Sequence, residues 1–370
     1  MNLGIIGYRG FGAFCTEALA TSDLGTVVAF AGRDGEAMQT AADRYGVRRI
    51  YTDYRELIAD PTVEFVHIST PPDQHSAMAV AAIDAGKHIF VEKPLAVDEP
   101  GAQAIVAALL RSPGVVAGIN YVMRYSPLYN KVKQIARHGL LGRLTYVDFQ
   151  NYASDEALGD DHWFWKPEQS GGIFVEHGVH FFDIVGSIIG TPAREVRGTT
   201  WRRAGERSHE DRVHALVTYE DGVTASYYHA FNRPGILERQ TAHFAFERGH
   251  ITLHGWTPTR ISLDAIVDAD AKSALEGLFP NLSIISDNVG PLRGGGRIHD
   301  VRFRVQATED LGDPTQLYKS AVRAAFEDVI KAAGSAGTYQ PRVTIADGIT
   351  SLRVALAARE ASLVGHAVSI

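Results

Sequence analysis

The sequence predicts two domains: an α/β domain over residues 1–122, built on a doubly wound parallel sheet, and an α+β domain over 123–370 with a mainly antiparallel open sheet. Three observations lead there. The first 120 residues alternate short, continuously apolar runs with helical stretches, as a parallel sheet covered on both faces requires. A glycine-rich turn separates the first apolar run from the first helix, and beyond residue 122 the strands change to a period of two. A length of 370 residues suits two domains of roughly 100–200 residues each.

Element by element, the apolar runs are 3–7 (LGIIG), 27–32 (VVAFAG), 64–70 (EFVHIST), 88–93 (HIFVEK) and 115–120 (VVAGIN). Helices are predicted over 13–22, 35–45, 73–85 and 100–111, the second and third closed by Gly46 and Gly86. In the second half, alternating strands are predicted at 144–152, 211–220, 224–232 and 241–248, with helices at 127–138, 173–189, 315–333 and 343–363. Residues 257–313, with Gly294, Gly295 and Gly296 between Arg293 and Arg297, show less regularity and read as a surface excursion.

Composition narrows the function classes. Forty-three acidic residues against 36 basic ones give a net charge of −7, which disfavours nucleic acid or an anionic membrane as the main partner. The single cysteine, Cys15, falls in the first helix as a packed residue and excludes an internal disulfide or a multi-cysteine metal cage. Arg111 interrupts the longest apolar run, and the start MNLGIIG lacks the basic region of a secretory leader, so a cytoplasmic location is expected.

The turn Gly7-Tyr8-Arg9-Gly10-Phe11-Gly12 stands where a dinucleotide site needs it, because glycines let main-chain N–H groups approach a pyrophosphate at a helix N-terminus. Gly7 and Gly12 fit the ends of G-x-G-x-x-G; Arg9 occupies the middle glycine position and Gly10 is additional. At the end of the second strand, an acidic residue would accept the ribose 2′-hydroxyl of NAD. Gly32-Arg33-Asp34 stands there instead: a small residue beside a guanidinium suits the 2′-phosphate of NADP, with Arg9 as a second cation. NADP is therefore the expected cofactor, with NAD as the alternative.

Ile68-Ser-Thr-Pro-Pro-Asp-Gln-His75, the stretch AAIDAGKHIFVEKPLA (81–96), Arg124-Tyr125-Ser126-Pro127, Ser170-Gly171-Gly172 with Glu176-His177-Gly178-Val179-His180 and Asp183, and the 345–365 helix resemble one family. It is the glucose–fructose oxidoreductase / inositol dehydrogenase / rhizopine-catabolism (Gfo/Idh/MocA) family, whose cofactor domain is a Rossmann fold. Glu92-Lys93-Pro94 is the most specific segment. The chain departs from the family at the irregular glycine turn and at Glu176, where many members carry Asp.

Lys93 closes a strand at the carboxyl edge of the sheet, where ligands of open α/β sheets collect, and can donate to an oxygen that gains charge during hydride transfer. Glu176, His180 and Asp183, at i, i+4 and i+7, share one face of a regular helix. The resemblance implies that His180 exchanges the substrate's hydroxyl proton, with Glu176 orienting it or binding a neighbouring hydroxyl. It also implies that Thr70 and His75 lie beside the nicotinamide ribose, that Glu92 belongs to the cofactor site, and that no metal is needed. A metal reading of Glu176, His177, His180 and His162 is the rival, although His177 points about 100° away from Glu176 on a regular helix. Tyr121, Arg124, Trp163, Lys166 and His177 are the expected substrate wall, with packing as the competing role for Trp163 and support for Arg124.

The expected activity is reversible, NADP-preferring oxidation of a secondary alcohol on a sugar, polyol or inositol-like compound by a homo-oligomer. The alternatives are reduction of a carbonyl, imine or activated double bond in a less polar substrate, and a dinucleotide-sensing regulator without catalysis.

Overall fold

The computed structural model describes residues 1–203 and 208–370. The chain opens with β1 (Asn2–Ile6), α1 (Phe11–Leu19), β2 (Thr26–Ala31), α2 (Gly35–Tyr45), β3 (Arg49–Tyr51) and α3 (Tyr54–Ala59). It continues through β4 (Phe65–Ile68), α4 (His75–Asp84), β5 (His88–Val91), α5 (Glu99–Arg111) and β6 (Ala117–Ile119). These six strands form one parallel sheet in the order β3-β2-β1-β4-β5-β6. The order reverses between β1 and β4, which creates the crevice at the carboxyl ends where such sheets bind ligands.

Local signals explain these elements. Asp34 accepts from the Ala37 amide and caps α2, Gly46 ends it in the left-handed region, and Asp98 caps α5 through the Gly101 amide. Strand side chains are buried on both faces: Leu3, Ile5, Phe30, Phe65, Val66 and Ile89 are wholly inaccessible. Each such side chain contributes about 1.5–3 kcal/mol of transfer free energy.

The rest of the chain comprises α6 (Pro127–Arg137), β7 (Leu144–Ser154), α7 (Pro167–Ser170), α8 (Val179–Ile189), β8 (Ala193–Arg202), β9 (Glu210–Tyr219), β10 (Thr224–Arg233), β11 (Arg239–Phe246), β12 (Gly249–His254) and β13 (Arg260–Val267). Then follow α9 (Ala269–Leu278), β14 (Ser283–Ser286), the hairpin β15 (Leu292–Gly294) and β16 (Arg297–His299), β17 (Phe303–Asp310), α10 (Pro314–Ala333), α11 (Ile345–Val364) and β18 (Val368–Ser369).

A ten-stranded sheet runs β14-β17-β13-β12-β11-β7-β10-β9-β8-β18, antiparallel except for the parallel pair β7 and β10. Alternation sets its faces: Val213, Ala215 and Val217 of β9 are inaccessible, while Arg212, His214 and Leu216 between them are half-buried.

Two compact units emerge. One contains Met1–Tyr125, Asp161–His180 and Tyr318–Leu356; the other contains Ser126–Asp160, Phe181–Leu317 and Ala357–Ile370. The parallel sheet lies in the first and the ten-stranded sheet in the second.

The structure differs from the sequence reading in several places, among them β3, α3 and β18, for which no element was expected. Residues 257–313 are not an irregular excursion, because β13 and β17 pair over eight residues inside the large sheet. Strands β8 and β12 were not anticipated. The predicted 173–189 helix does not start as a regular helix: Phe174–Gly178 form a π turn, and α8 begins only at Val179. The stretch Pro167–Ile189 has the length and hydropathy of a membrane span, and 72% of its apolar window is buried within the protein, as in a core helix.

Candidate functional site

All the geometry below lies within the first unit. Its turn after β1 depends on missing side chains. Gly7 has φ +94°, and a Cβ there would stand 2.3 Å from the Ser69 carbonyl oxygen. A Cβ on Gly12 would stand 1.8 Å from the Gly7 carbonyl oxygen, so Gly12 is what lets α1 approach the turn. Gly10 precedes α1 at its N-cap and Phe11 is the first helical residue.

This turn forms the wall of a cleft of about 460 Å³ lined by Gly7, Tyr8, Arg9, Gly32, Arg33, Asp34, Thr52, Tyr54, Thr70 and Gln74 among others. The structure thus brings together the turn, the β2 end and the loop after β4. Arg9 is ion-paired with Asp34, whose carboxylate also accepts from the Ala37 amide; the amide contact, with Arg9, holds its pKa below the usual range. Both side chains of that pair are substantially exposed, so its contribution to stability is small. The sequence reading did not single out Tyr8, Thr52, Tyr54 or Gln74; their neighbourhood depends on how the β2, β3 and β4 loops meet.

Beyond β5, Glu92 and Lys93 diverge. Glu92 is 8% exposed and receives a hydrogen bond from Asn120 Nδ2 at 2.9 Å. Burial drives its pKa up to about 8 against the opposing pull of Asn120 and Lys93. Asn120, at the end of β6, was not anticipated. Lys93 Nζ donates to the main-chain oxygen of Glu176 at 2.9 Å and to Glu176 Oε1 at 2.5 Å.

The π turn creates the other half of this arrangement. Phe174–Gly178 wind with i→i+5 spacing instead of the i→i+4 of a regular helix, and Glu176 and His177 lie next to each other in this turn. His177 Nδ1 lies 3.9 Å from Glu176 Oε2, and the His177 and His180 rings are 6.4 Å apart, edge to face. The negative charge of Glu176 also reaches His162, where it opposes the lowering of the ring pKa by burial and by Lys166. One ammonium, one carboxylate and a group of imidazoles therefore converge at the carboxyl edge of the sheet. Such a set can donate to an oxygen, accept a proton and hold a charge.

The remaining predicted residues surround this set. His180 is 5% exposed and packs edge-on against Tyr121, their rings 6.2 Å apart. Tyr121 is itself buried and bonded through its hydroxyl to Ser351. Arg124 pairs with Asp347 at 3.0 Å, which fastens the segment after β6 to the start of α11. Trp163 is half-buried in a short 3-10 turn with Phe164 and Trp165 and stacks near His162, its ring 5.2 Å away. Lys166 follows that turn and precedes α7. Thr70 lines the cleft, its hydroxyl 3.6 Å from Met78 Sδ. His75 is wholly buried, with Nδ1 2.7 Å from the Pro94 carbonyl and Nε2 2.9 Å from the Thr70 carbonyl, which is the geometry of a clamp between two strand-end loops.

A glycine turn feeding a helix, a cleft at the sheet's switch point and a lysine at a strand's carboxyl end define a dinucleotide-binding oxidoreductase. Residues 1–121 match the model of an oxidoreductase family with an NAD-binding Rossmann fold, and residues 129–252 match the GFO/IDH/MocA C-terminal domain. The chain belongs to the Gfo/Idh/MocA family.

It is 29% identical over 358 residues to a 1,5-anhydro-D-fructose reductase of Ensifer adhaerens, covering 94% of each chain. It is 25% identical over 372 residues to the D-xylose 1-dehydrogenase (NADP(+)) 2 of Haloferax volcanii, covering both completely. Among solved structures, levoglucosan dehydrogenase in complex with NADH superimposes with a TM-score of 0.79 at 20% identity, covering 100% of this chain and 99% of that one, a likeness of fold.

Proposed function

We propose that the chain is an NADP-preferring dehydrogenase that reversibly oxidises a secondary alcohol of a sugar, polyol or inositol-like substrate. The observation that carries this reading is the double hydrogen bond from Lys93 to Glu176, beside His177 and His180. The curated relatives named above are a sugar-derivative reductase and a sugar dehydrogenase, which supports the substrate class.

The residues present suit the cofactor: Gly7 and Gly12 let the turn pack closely against the Ser69 main chain and α1, and Arg9 and Arg33 line the same cleft. NADP supplies a carbon that accepts or returns hydride. In this reading Gly7, Gly10, Phe11 and Gly12 receive the pyrophosphate, Gly32, Arg33 and Arg9 the 2′-phosphate, and Thr70, His75 and Glu92 frame or support the ribose side. Lys93 donates to the substrate oxygen as it gains negative character. His180 takes or returns the hydroxyl proton at a ring nitrogen, since an imidazole changes charge near neutrality. Glu176 holds the Lys93 ammonium in place. Tyr121, Arg124, Trp163, Lys166 and His177 shape the polar wall.

We also propose a homo-oligomer working in the cytoplasm, with the half-buried face of the ten-stranded sheet as the self-pairing surface. Light scattering on the purified chain measures the first of these directly.

The deciding experiment is an absorbance screen of sugars, inositols and sugar acids with NADP+ and NAD+. Turnover of a polyol, lost in both Lys93→Met and His180→Ala, supports the reading. Near-wild-type turnover in both variants removes the mechanism, and turnover confined to apolar carbonyl or imine compounds moves the substrate class to the alternative.

A further inference from the structure

Behind the glycine turn, three side chains with metal-ligating atoms meet in the interior. Cys15 comes from α1, His67 from β4 and Glu92 from the end of β5, and their Sγ, imidazole nitrogen and carboxylate oxygen lie within 4.8 Å of one another. Cys15 and His67 are inaccessible and Glu92 is 8% exposed. His67 Nδ1 is 3.0 Å from the Phe90 carbonyl oxygen, which can only accept, so Nδ1 carries the ring proton. Nε2 is left with a lone pair, and this wholly buried atom has no hydrogen-bond partner among the described residues. It sits 3.6 Å from Glu92 Oε1, beyond hydrogen-bond reach.

We infer that this cluster is a binding site for a soft divalent cation of the zinc class, ligated by Cys15 Sγ, His67 Nε2 and the Glu92 carboxylate. Nitrogen and oxygen ligands at 2.0–2.1 Å from a tetrahedral zinc stand about 3.3 Å apart, close to the spacing found here. The donor set combines thiolate, imidazole and carboxylate, which suits zinc and cobalt(II) and not magnesium or calcium.

Charge balance favours the same occupant. A thiolate and a carboxylate carry one negative charge each, which together match a dication. The resulting centre has no net charge. A neutral centre avoids the large cost of an isolated buried charge. The orphaned Nε2 lone pair gains a partner in the same step. Because Cys15 lies three residues after Gly12, the ion would also tie α1 to β4 and β5 directly beneath the turn.

The test uses the full chain, stripped with chelator and titrated with Co2+. One equivalent should bind with a thiolate-to-cobalt charge-transfer band that Zn2+ removes. Calorimetry in buffers of different ionisation enthalpy should show proton release on binding at pH 7. The band should disappear in Cys15→Ser, and His67→Gln should weaken binding at least about tenfold. A His243→Gln/His250→Gln variant should keep both band and stoichiometry; this pair, 3.2 Å apart and more exposed, is the rival imidazole site. No band in the wild type, or one unchanged in Cys15→Ser, overturns the proposal. Where Cys15→Ser fails to fold, Glu92→Gln decides: the expected result is weaker binding, and an unchanged affinity overturns it.

Discussion

Lys93 donates to two oxygens of one residue, Glu176: its carbonyl at 2.9 Å and its Oε1 at 2.5 Å, across 83 positions of sequence. The carbonyl contact fixes the ammonium against the main chain of the π turn, and the carboxylate contact balances its charge. Removing only the carboxylate therefore leaves the lysine held but less well compensated. Glu176→Gln should lower kcat/KM about tenfold, while Glu176→Ala should cost about a hundredfold. An unchanged kcat/KM in Glu176→Gln argues against the pairing as a functional one.

At the substrate end, Lys93→Met should reduce kcat about 10²–10³-fold as a lost donor to the oxygen, and His180→Ala about 10²–10⁴-fold as a lost proton carrier. Single-turnover hydride transfer measures both. Cofactor affinity in His180→Ala should stay near wild type, which separates proton handling from a collapsed cleft.

Cofactor choice turns on the β2 end. Arg33→Ala should weaken NADPH binding about tenfold or more, in the range of a lost charge-assisted hydrogen bond, and leave NADH nearly untouched. Asp34→Asn should release Arg9 from its ion pair and strengthen NADPH binding. Fluorescence titration with both nucleotides reads these effects. Tighter NADH binding, indifferent to Arg33→Ala, removes the NADP preference.

The glycine turn makes a contrasting set. Gly12→Ala and Gly7→Ala introduce Cβ atoms 1.8 Å and 2.3 Å from main-chain carbonyl oxygens, and each should destabilise by on the order of 2–4 kcal/mol and abolish nucleotide binding. A Cβ at Gly10 meets no described atom within 4 Å, so Gly10→Ala carries backbone strain alone: φ +52° with ψ −114° lies outside the left-handed helical well and costs about 1–3 kcal/mol. Thermal unfolding of the three variants separates collision from backbone strain.

Stability should depend on pH through buried groups. His67 and His229 are held neutral by burial, each with pKa about 3 in the fold against 6.5 in the unfolded chain. The unfolded chain binds the extra protons, so stability falls as pH drops below about 6.5, by up to about 1.4 kcal/mol per unit for each ring until pH 3. Glu92 acts in the opposite sense. Its pKa is raised from 4.5 to about 8, so its neutral form favours the fold at low pH and its contribution is lost as pH rises from 4.5 through 8. In the ion-free protein, Glu92→Gln should therefore gain stability relative to wild type between pH 5 and pH 8. Denaturant midpoints across that range test the sign.

Most of the first 120 residues were readable because the longer elements carry their own signals. The predicted 35–45 helix coincides with α2, whose Asp34 cap and Gly46 stop are both local. β3 was missed because three residues at a sheet edge carry no periodicity. β8 is interrupted by Arg194, Arg197 and Arg202, and the strands of 257–313 are short, so their membership of the large sheet rests on pairing with distant partners. The candidate site was read from the family resemblance and the glycine turn. The π turn was not, because no single residue encodes an extra residue in a helical turn. Nor does local sequence reveal that 161–180 and 318–356 pack with the first 125 residues.

A neutral imidazole holds one ring proton, yet both nitrogens of His75 face carbonyl oxygens. Burial opposes a second proton. Only one of the two loops can thus be tethered by a hydrogen bond at a given moment, either the loop of Thr70 or the loop of Lys93 and Pro94. The tautomer present decides which loop holds the tether, and the other carbonyl faces a bare ring nitrogen. His75 thus makes these two strand ends share a single proton.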